Sequence, residues 1–301
     1  MLLEEIQLTD LLSGGQKKTL LSAINEALAI NDELLELTDS VYLKFNTELN
    51  KSPFRYIIGE EHDIKFKAVE FDTEFKHRRI GVRFRCFNIL NPASAEYYED
   101  KYHLGNAETE VDLMRVTINA EFLSGTLKTN IKSLLQHELE HLFQTIQGKK
   151  LNSYAGGSAY NKAYKILKDG TRDRKLFYVS YIIYTLSESE IDAFVNQLYQ
   201  ELSSAGIDDA VRALKESNAY GYYLNSKRLL KLIKTNREEY EDVIASFGFD
   251  YERFLRLFSK LNRRYITKIG KVLARFNEEN QPTEILFNDL DERLNEYKPD
   301  F

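Results

Sequence analysis

Apolar residues in the middle of the chain recur at spacings of three, four and seven positions, the pattern of a helix with one buried stripe. The stripe consists of Leu127, Ile131, Leu134, Leu135, Leu142 and Ile146. It predicts a helix over residues 127–147. Ser124, Thr126 and Thr129 offer capping oxygens at its start. Gly148 suits a left-handed cap at its end.

Alternation of apolar and polar residues predicts strands ahead of this helix. Residues 115–122 place Val, Ile, Ala and Phe at every second position, and a short turn follows them. Residues 54–58, 64–71 and 79–87 are further strand candidates. We expect these segments to form an antiparallel or mixed sheet that packs on the central helix.

Both ends of the chain are predicted to be helical. Residues 16–50 carry an amphipathic pattern that breaks near residues 31–32, as expected for two helices. Four more helical segments follow in the C-terminal third, at residues 211–215, 226–235, 237–246 and 251–276. The predicted fold class is therefore α+β. Residues 1–205 are expected to form the main domain, and residues 206–301 a helical subdomain packed on it.

Composition narrows the functional classes. The chain has 301 residues, a net charge of −6 and one cysteine. The negative charge argues against a general nucleic-acid binder, and one cysteine excludes an intrachain disulfide framework. There is no basic start followed by an apolar run and no apolar stretch long enough to span a bilayer. We expect a cytoplasmic protein without a membrane partner.

Positive charge nevertheless collects in the C-terminal third, and it can face an acidic partner or nucleic acid. The cations are Lys227, Arg228, Lys231, Lys234, Arg253, Arg256, Lys260, Arg263, Arg264, Lys268, Lys271 and Arg275. Their helical spacing favours a solvated face over either partner.

Residues 137–141 read His-Glu-Leu-Glu-His inside the predicted central helix. Histidines four positions apart lie on one helix face, so both imidazoles can reach one metal ion. Catalytic zinc takes three protein ligands and leaves a position for water, whose pKa it lowers to about 7. The motif predicts Zn²⁺ as the cofactor, His137 and His141 as ligands, and Glu138 as the general base. The alternative is a chance match involving two ordinary half-buried histidines.

A third ligand must come from elsewhere, because none of the five histidines follows the motif. The metzincin pattern needs a glycine at position 144 and a histidine at position 147, where this chain has Gln144 and Gln147. A carboxylate in the acidic segment 187–194 is the natural substitute. Glu190 is the first candidate, and Glu188, Asp192 or no protein ligand at all are the alternatives.

The motif and the segment Glu190-Ile-Asp-Ala193 resemble the two ligand helices of the gluzincins, the zincin metallopeptidases that use a glutamate ligand. The surrounding Ile-Asp-Ala-Phe also resembles the ImmA/IrrE-type metallopeptidases. The resemblance implies a zincin-like fold in which Glu190 is the third ligand. It also implies that an edge strand ahead of the motif helix, here residues 115–122, pairs with extended substrate. Ser187 and Glu190 equally match a capping box, which competes for the same carboxylate oxygens.

The segment between the two ligand helices contains a predicted loop at residues 154–158 and a tyrosine-rich helix or strand at residues 175–186. A peptidase needs a donor for the oxyanion of its tetrahedral intermediate, and tyrosine is the natural choice here. The candidates are Tyr154, Tyr160, Tyr181 and Tyr184, of which we select Tyr181 and Tyr184. With 19 tyrosines in the chain, one near any site is expected by chance.

These observations together predict a zinc-dependent metallopeptidase that acts on peptides or proteins. A regulator that cleaves a single cellular protein shares this chemistry and differs only in substrate. The alternative from another class is a non-catalytic zincin-fold binding or scaffold protein of phage or mobile-element origin. The long helical C-terminal region and the open identity of the third ligand are the features that favour it.

Overall fold

The computed structural model describes residues 32–56, 64–91, 94, 107–110, 115–123, 126–127, 130–147, 157–206 and 210–280. Within these ranges, nine helices and six strands form an α+β fold, as predicted. None of the helices found there combines the length and apolar character that crossing a membrane requires. The first of the two predicted N-terminal helices lies outside the described residues.

One mixed sheet carries the strands. They are β1 (Arg55–Tyr56), β2 (Ile64–Phe75), β3 (Arg78–Ile89), β4 (Ala107–Glu110), β5 (Arg115–Leu123) and β6 (Thr126–Leu127). Their order is β1-β2-β3-β5-β4, and β6 also pairs with β5. The β3–β5 pair is parallel and the other pairs are antiparallel.

The two long strands β2 and β3 form a hairpin, in which each strand alternates between faces. Its two-residue turn, Lys76 and His77, has positive φ angles of 49° and 61°. Positive φ at both central positions is typical of a type I′ turn, whose twist matches that of the strands. Beyond the turn, β3 alternates as predicted and buries Ile80, Val82 and Phe84 on one face.

The predicted edge strand at residues 115–122 is in fact internal. β5 pairs with β3 on one side and with β4 and β6 on the other. Its residues from Val116 to Phe122 are all buried, which agrees with strand neighbours on both sides. The expectation that β5 is open to substrate is therefore wrong. β4 is the outer strand at this end of the sheet, and it lies beside the motif helix.

A first hydrophobic core lies between the sheet and two helices, α1 (Asp32–Leu49) and α2 (Ile131–Ile146). α1 buries Leu34, Leu37, Val41 and Phe45, which share one helix face. The ring of Phe45 stacks on Phe84 of β3 with 4.1 Å between centroids. α2 adds Leu135, Leu139 and Leu142 to the same core, so the motif helix packs against the sheet.

The remaining seven helices build a second core. They are α3 (Gly157–Asp169), α4 (Arg174–Thr185), α5 (Glu188–Ala205), α6 (Ala210–Glu216), α7 (Asn218–Thr235), α8 (Arg237–Ser246) and α9 (Tyr251–Asn280). The four predicted C-terminal helices are confirmed, although α7 starts eight residues earlier than residue 226. The alternative of a helix at residues 175–186 is also confirmed. The predicted domain boundary near residue 205 stays a prediction.

Candidate metal centre

The motif helix α2 begins at Ile131, four residues later than predicted. Asn130 caps it, because the Asn130 side chain accepts a hydrogen bond of 3.1 Å from the amide of Ser133. The predicted start at Leu127 is wrong, since Leu127 and Thr126 pair with β5 instead of entering the helix. A local tie to the sheet thus overrides the helical periodicity of those residues.

The C-terminal end of α2 agrees with the prediction within one residue. The amide of Gln147 donates to the carbonyl of Phe143 over 3.0 Å and closes the last turn. The other predicted capping residues, Ser124, Thr129 and Gly148, lie outside the described residues.

The glutamate helix α5 begins at Glu188, directly after its cap Ser187. The Ser187 hydroxyl accepts from the amide of Glu190 over 3.3 Å, so the first half of the predicted capping box is present. The carboxylate of Glu190 does not complete the box. It points across to α2, and the amide of Ser187 donates to the carbonyl of Tyr184 instead. The cap therefore uses the backbone amide of Glu190, and the carboxylate of Glu190 lies at the two histidines, so the two roles do not compete.

His137, His141 and Glu190 meet where α2 packs on α5. The Nε2 atoms of His137 and His141 are 3.2 Å apart. Glu190 Oε2 is 3.6 Å from His137 Nε2, and Glu190 Oε1 is 3.6 Å from His141 Nε2. All three side chains are largely buried, and Glu190 is only 2 % exposed. We call these three residues the triad.

The triad has the geometry of a metal site. Donor atoms that bind one zinc ion at about 2.0–2.1 Å in a tetrahedral arrangement lie about 3.3 Å from one another. The observed separations of 3.2, 3.6 and 3.6 Å agree with this value. Glu190 Oε2 is buried and, among the described residues, has no hydrogen-bond partner. A cation would satisfy that oxygen, because a buried carboxylate oxygen is costly to leave unpaired.

Burial and neighbouring charges together set the pKa values of the triad. Burial lowers the pKa of His137 to about 3, with the neighbouring His141 charge acting in the same direction. Burial also works to lower the pKa of His141, but the carboxylates of Glu190 and Glu138 outweigh it and raise that pKa to about 9. Burial tends to raise the pKa of Glu190, whereas His141 and its hydrogen bond bring it down to about 2. The carboxylate is thus held ionised, as a metal ligand must be.

The alternative third ligands face away from the triad. Glu188 forms an ion pair with Arg264 of α9, and Asp192 forms one with Lys268 of the same helix. These two pairs join α5 to α9. Part of the basic charge noted in the sequence is therefore used to dock the glutamate helix.

One of the candidate tyrosines touches the triad. The Tyr160 hydroxyl donates to Glu190 Oε1 over 2.7 Å. Tyr184 stacks on Tyr160 with 5.5 Å between ring centroids, while the Tyr181 hydroxyl accepts from Asn225 over 3.4 Å. The selection of Tyr181 and Tyr184 as catalytic residues stays a prediction, and Tyr154 lies outside the described residues.

Sequence reasoning missed two further neighbours of the triad, Phe194 and Gln197. The Phe194 ring lies 4.6 Å from the imidazole of His137, and the side chain of Gln197 is close enough to His137 to raise its pKa. Both continue the face of α5 that begins at Glu190, at spacings of four and seven residues. That spacing was the available signal, once Glu190 is taken to face the motif helix.

Glu201 lies one turn beyond Gln197 on α5, and its shifted pKa makes the stability of the protein depend on pH. Burial raises its pKa from the usual 4.5 to about 7. Its contribution to folding is therefore fully present below pH 4.5 and is lost as the pH rises through 7. We expect Glu201→Gln to gain at most about 3 kcal/mol over the wild type at pH 8, relative to the difference between the two at pH 5.

Urea unfolding of the metal-free proteins at both pH values measures this. The exposed Glu238 on α8 provides the control variant, Glu238→Gln, which should follow the wild type. An equal pH response in Glu201→Gln and the wild type would contradict the expectation.

The chain matches no protein-family model, no curated protein and no solved structure. The chemistry of the centre therefore has to be inferred from its own residues. Two imidazoles and one carboxylate form a donor set that suits zinc and other divalent first-row metals. The triad can hold a metal ion, and its donor atoms all lie within 4.8 Å of one another.

Proposed function

We propose that the protein is a zinc-dependent metallopeptidase with a zincin-like arrangement of its motif helix, glutamate helix and sheet. The observation that carries the proposal is the triad of His137, His141 and Glu190, with Glu138 next to the first ligand on the same helix. A triad of this type leaves room for further ligands, which a catalytic centre requires and a closed structural site lacks.

Glu138 is the proposed general base. It is buried, and its charge raises the pKa of His141 and contributes to that of Tyr160, so the carboxylate lies close to the triad. Bound zinc would polarise the substrate carbonyl and make water nucleophilic at neutral pH. Glu138 takes a proton from the attacking water and returns it to the leaving amine.

Tyr160 is the best-placed donor for the developing oxyanion. Its hydroxyl lies 2.7 Å from Glu190 Oε1, whereas the hydroxyl of Tyr181 accepts from Asn225. Stacking on Tyr184 orients the Tyr160 ring. To stabilise that negative charge, the hydroxyl would turn its single proton from Glu190 to the substrate oxygen.

The substrate is proposed to be an extended peptide or protein segment that pairs with β4. Among the described strands β4 pairs with β5 alone, and it lies beside α2. An added strand on its outer edge would run past the triad, with main-chain hydrogen bonds supplying affinity. This assigns to β4 the role that the sequence suggested for residues 115–122.

Zinc content tests the proposal. Elemental analysis of the purified native chain should find about one zinc per chain, as expected for a single three-ligand centre. The double variant His137→Ala, His141→Ala should contain none. His77→Ala, on the exposed β2–β3 turn, is the matched control and should retain the metal. Absence of metal from all three proteins, even after zinc is added, would reject the proposal and favour the non-catalytic binding protein.

A further inference from the structure

Four side chains of α5 form a continuous row opposite the motif helix. Glu190, Phe194, Gln197 and Glu201 follow one another at steps of four, three and four residues, which places them on one helix face. The row starts at the proposed metal ligand and passes the imidazole of His137, on which the Phe194 ring packs. The middle of this row, Phe194 and Gln197, therefore lies beside the imidazole of His137.

That ring atom, Nδ1 of His137, is buried and makes no hydrogen bond of standard geometry within the described ranges. Nε2 is the atom directed at His141 and Glu190. A neutral imidazole that binds metal through Nε2 carries its proton on Nδ1. A metal-binding histidine almost always donates that proton to an acceptor, because the second bond orients the ring and raises its basicity.

Gln197 supplies the matching acceptor. Its side chain is 3 % exposed, and it lies near enough to His137 to raise the pKa of that imidazole, the direction expected of an acceptor. The Gln197 Nε2 group donates to Glu201 Oε1 over 2.8 Å. The amide oxygen of Gln197 is therefore the atom that can accept a hydrogen bond from the imidazole. Glu201 therefore determines the orientation of the amide, since the flipped amide would present its N–H groups to another donor.

We propose that Gln197 is the positioning residue of the metal centre. Its amide oxygen accepts a hydrogen bond from Nδ1–H of His137, and the amide is itself oriented by Glu201. The inference rests on the proposed metal site. Its consequence is that the correct tautomer and ring orientation of His137 are set before metal arrives. Loss of the acceptor should therefore weaken metal binding without removing a ligand.

The test compares two glutamine-to-methionine variants of α5. Gln197→Met removes the acceptor and keeps the length of the side chain. Gln200→Met changes an equally buried glutamine on the same helix that contributes no atom to the triad. Zinc affinity is measured by competition with a chromophoric chelator, and the visible spectrum of the Co²⁺-loaded protein reports ligand geometry. We expect zinc affinity to fall about 10- to 100-fold in Gln197→Met, with a shifted Co²⁺ spectrum, and to stay unchanged in Gln200→Met.

A charge-conserving swap separates positioning from simple packing. The double variant Gln197→Glu, Glu201→Gln exchanges the carboxylate and the amide, so that an acceptor for Nδ1 is kept and the net charge does not change. We expect it to recover most of the affinity that Gln197→Met loses. Wild-type affinity and spectrum in Gln197→Met, or a swap variant as weak as Gln197→Met, would overturn the inference while the metal site stands. A native chain that binds neither zinc nor cobalt would overturn both.

Discussion

Replacing Glu138 by glutamine is expected to abolish peptide hydrolysis and to leave zinc bound. The amide keeps the shape of the side chain but cannot accept the proton of the attacking water, and loss of a general base costs about 10²–10⁴-fold in rate. Zinc content should stay at the native level, because Glu138 is not among the three grouped donors of the triad. Turnover of a peptide library by the zinc-loaded proteins, read by mass spectrometry, measures the loss.

The control for this experiment lies on the same helix. Glu140 is also buried, and its carboxylate accepts a 3.0 Å hydrogen bond from Gln144 on α2. Glu140→Gln changes the charge of the motif helix by the same amount without touching the proposed base. We expect Glu140→Gln to retain activity. Hydrolysis at the native rate by Glu138→Gln would refute the proposed mechanism, and equal losses in both variants would indicate a general effect of charge.

Removal of Glu190 is expected to weaken zinc binding by on the order of 10²-fold. Structural zinc sites bind with about 10–16 kcal/mol, so one of four ligands contributes roughly 3 kcal/mol, equivalent to about 10²-fold in affinity. Glu190→Ala also deprives His141 of the carboxylate that raises its pKa. Chelator competition at neutral pH measures the change in affinity, and thermal unfolding of the metal-free form checks that the variant is folded.

Two neighbouring carboxylates on α5 make this prediction specific. Glu188 and Asp192 lie two residues on either side of Glu190 but pair with Arg264 and Lys268 of α9. Glu188→Ala and Asp192→Ala should therefore bind zinc with native affinity. If Glu188→Ala lost zinc as strongly as Glu190→Ala, the third ligand would have to be reassigned. The Glu188–Arg264 pair is partly exposed and contributes about 0–1 kcal/mol to stability. The Asp192–Lys268 pair is more buried, so thermal unfolding should also confirm that Asp192→Ala is folded.

Much of the fold could be predicted from the sequence because the relevant patterns are local. The alternation in β3 and the periodicity of α8 and α9 depend on neighbours within a few positions, and the predicted segments agree with the structure. The errors arose where pairing within the sheet overrides the local pattern. Leu127 fits the helical stripe of α2, but pairing with Phe122 draws it into β6. The alternation in β5 predicts one buried face and says nothing about its neighbours, and β4 pairs with the side that we expected to be open.

The sequence by itself determined that His137 and His141 share a helix face and that Glu138 lies beside them, since helix geometry places residues four apart together. Only the tertiary structure decided the third member of the triad. Glu188, Glu190 and Asp192 are equally acidic and lie within one and a half turns, but successive side chains on a helix point about 100° apart. Which of them meets α2 depends on how α5 is rotated. That rotation is set by the buried face of α5. The ion pairs to α9 agree with it, and they join residues 76 positions apart in the sequence.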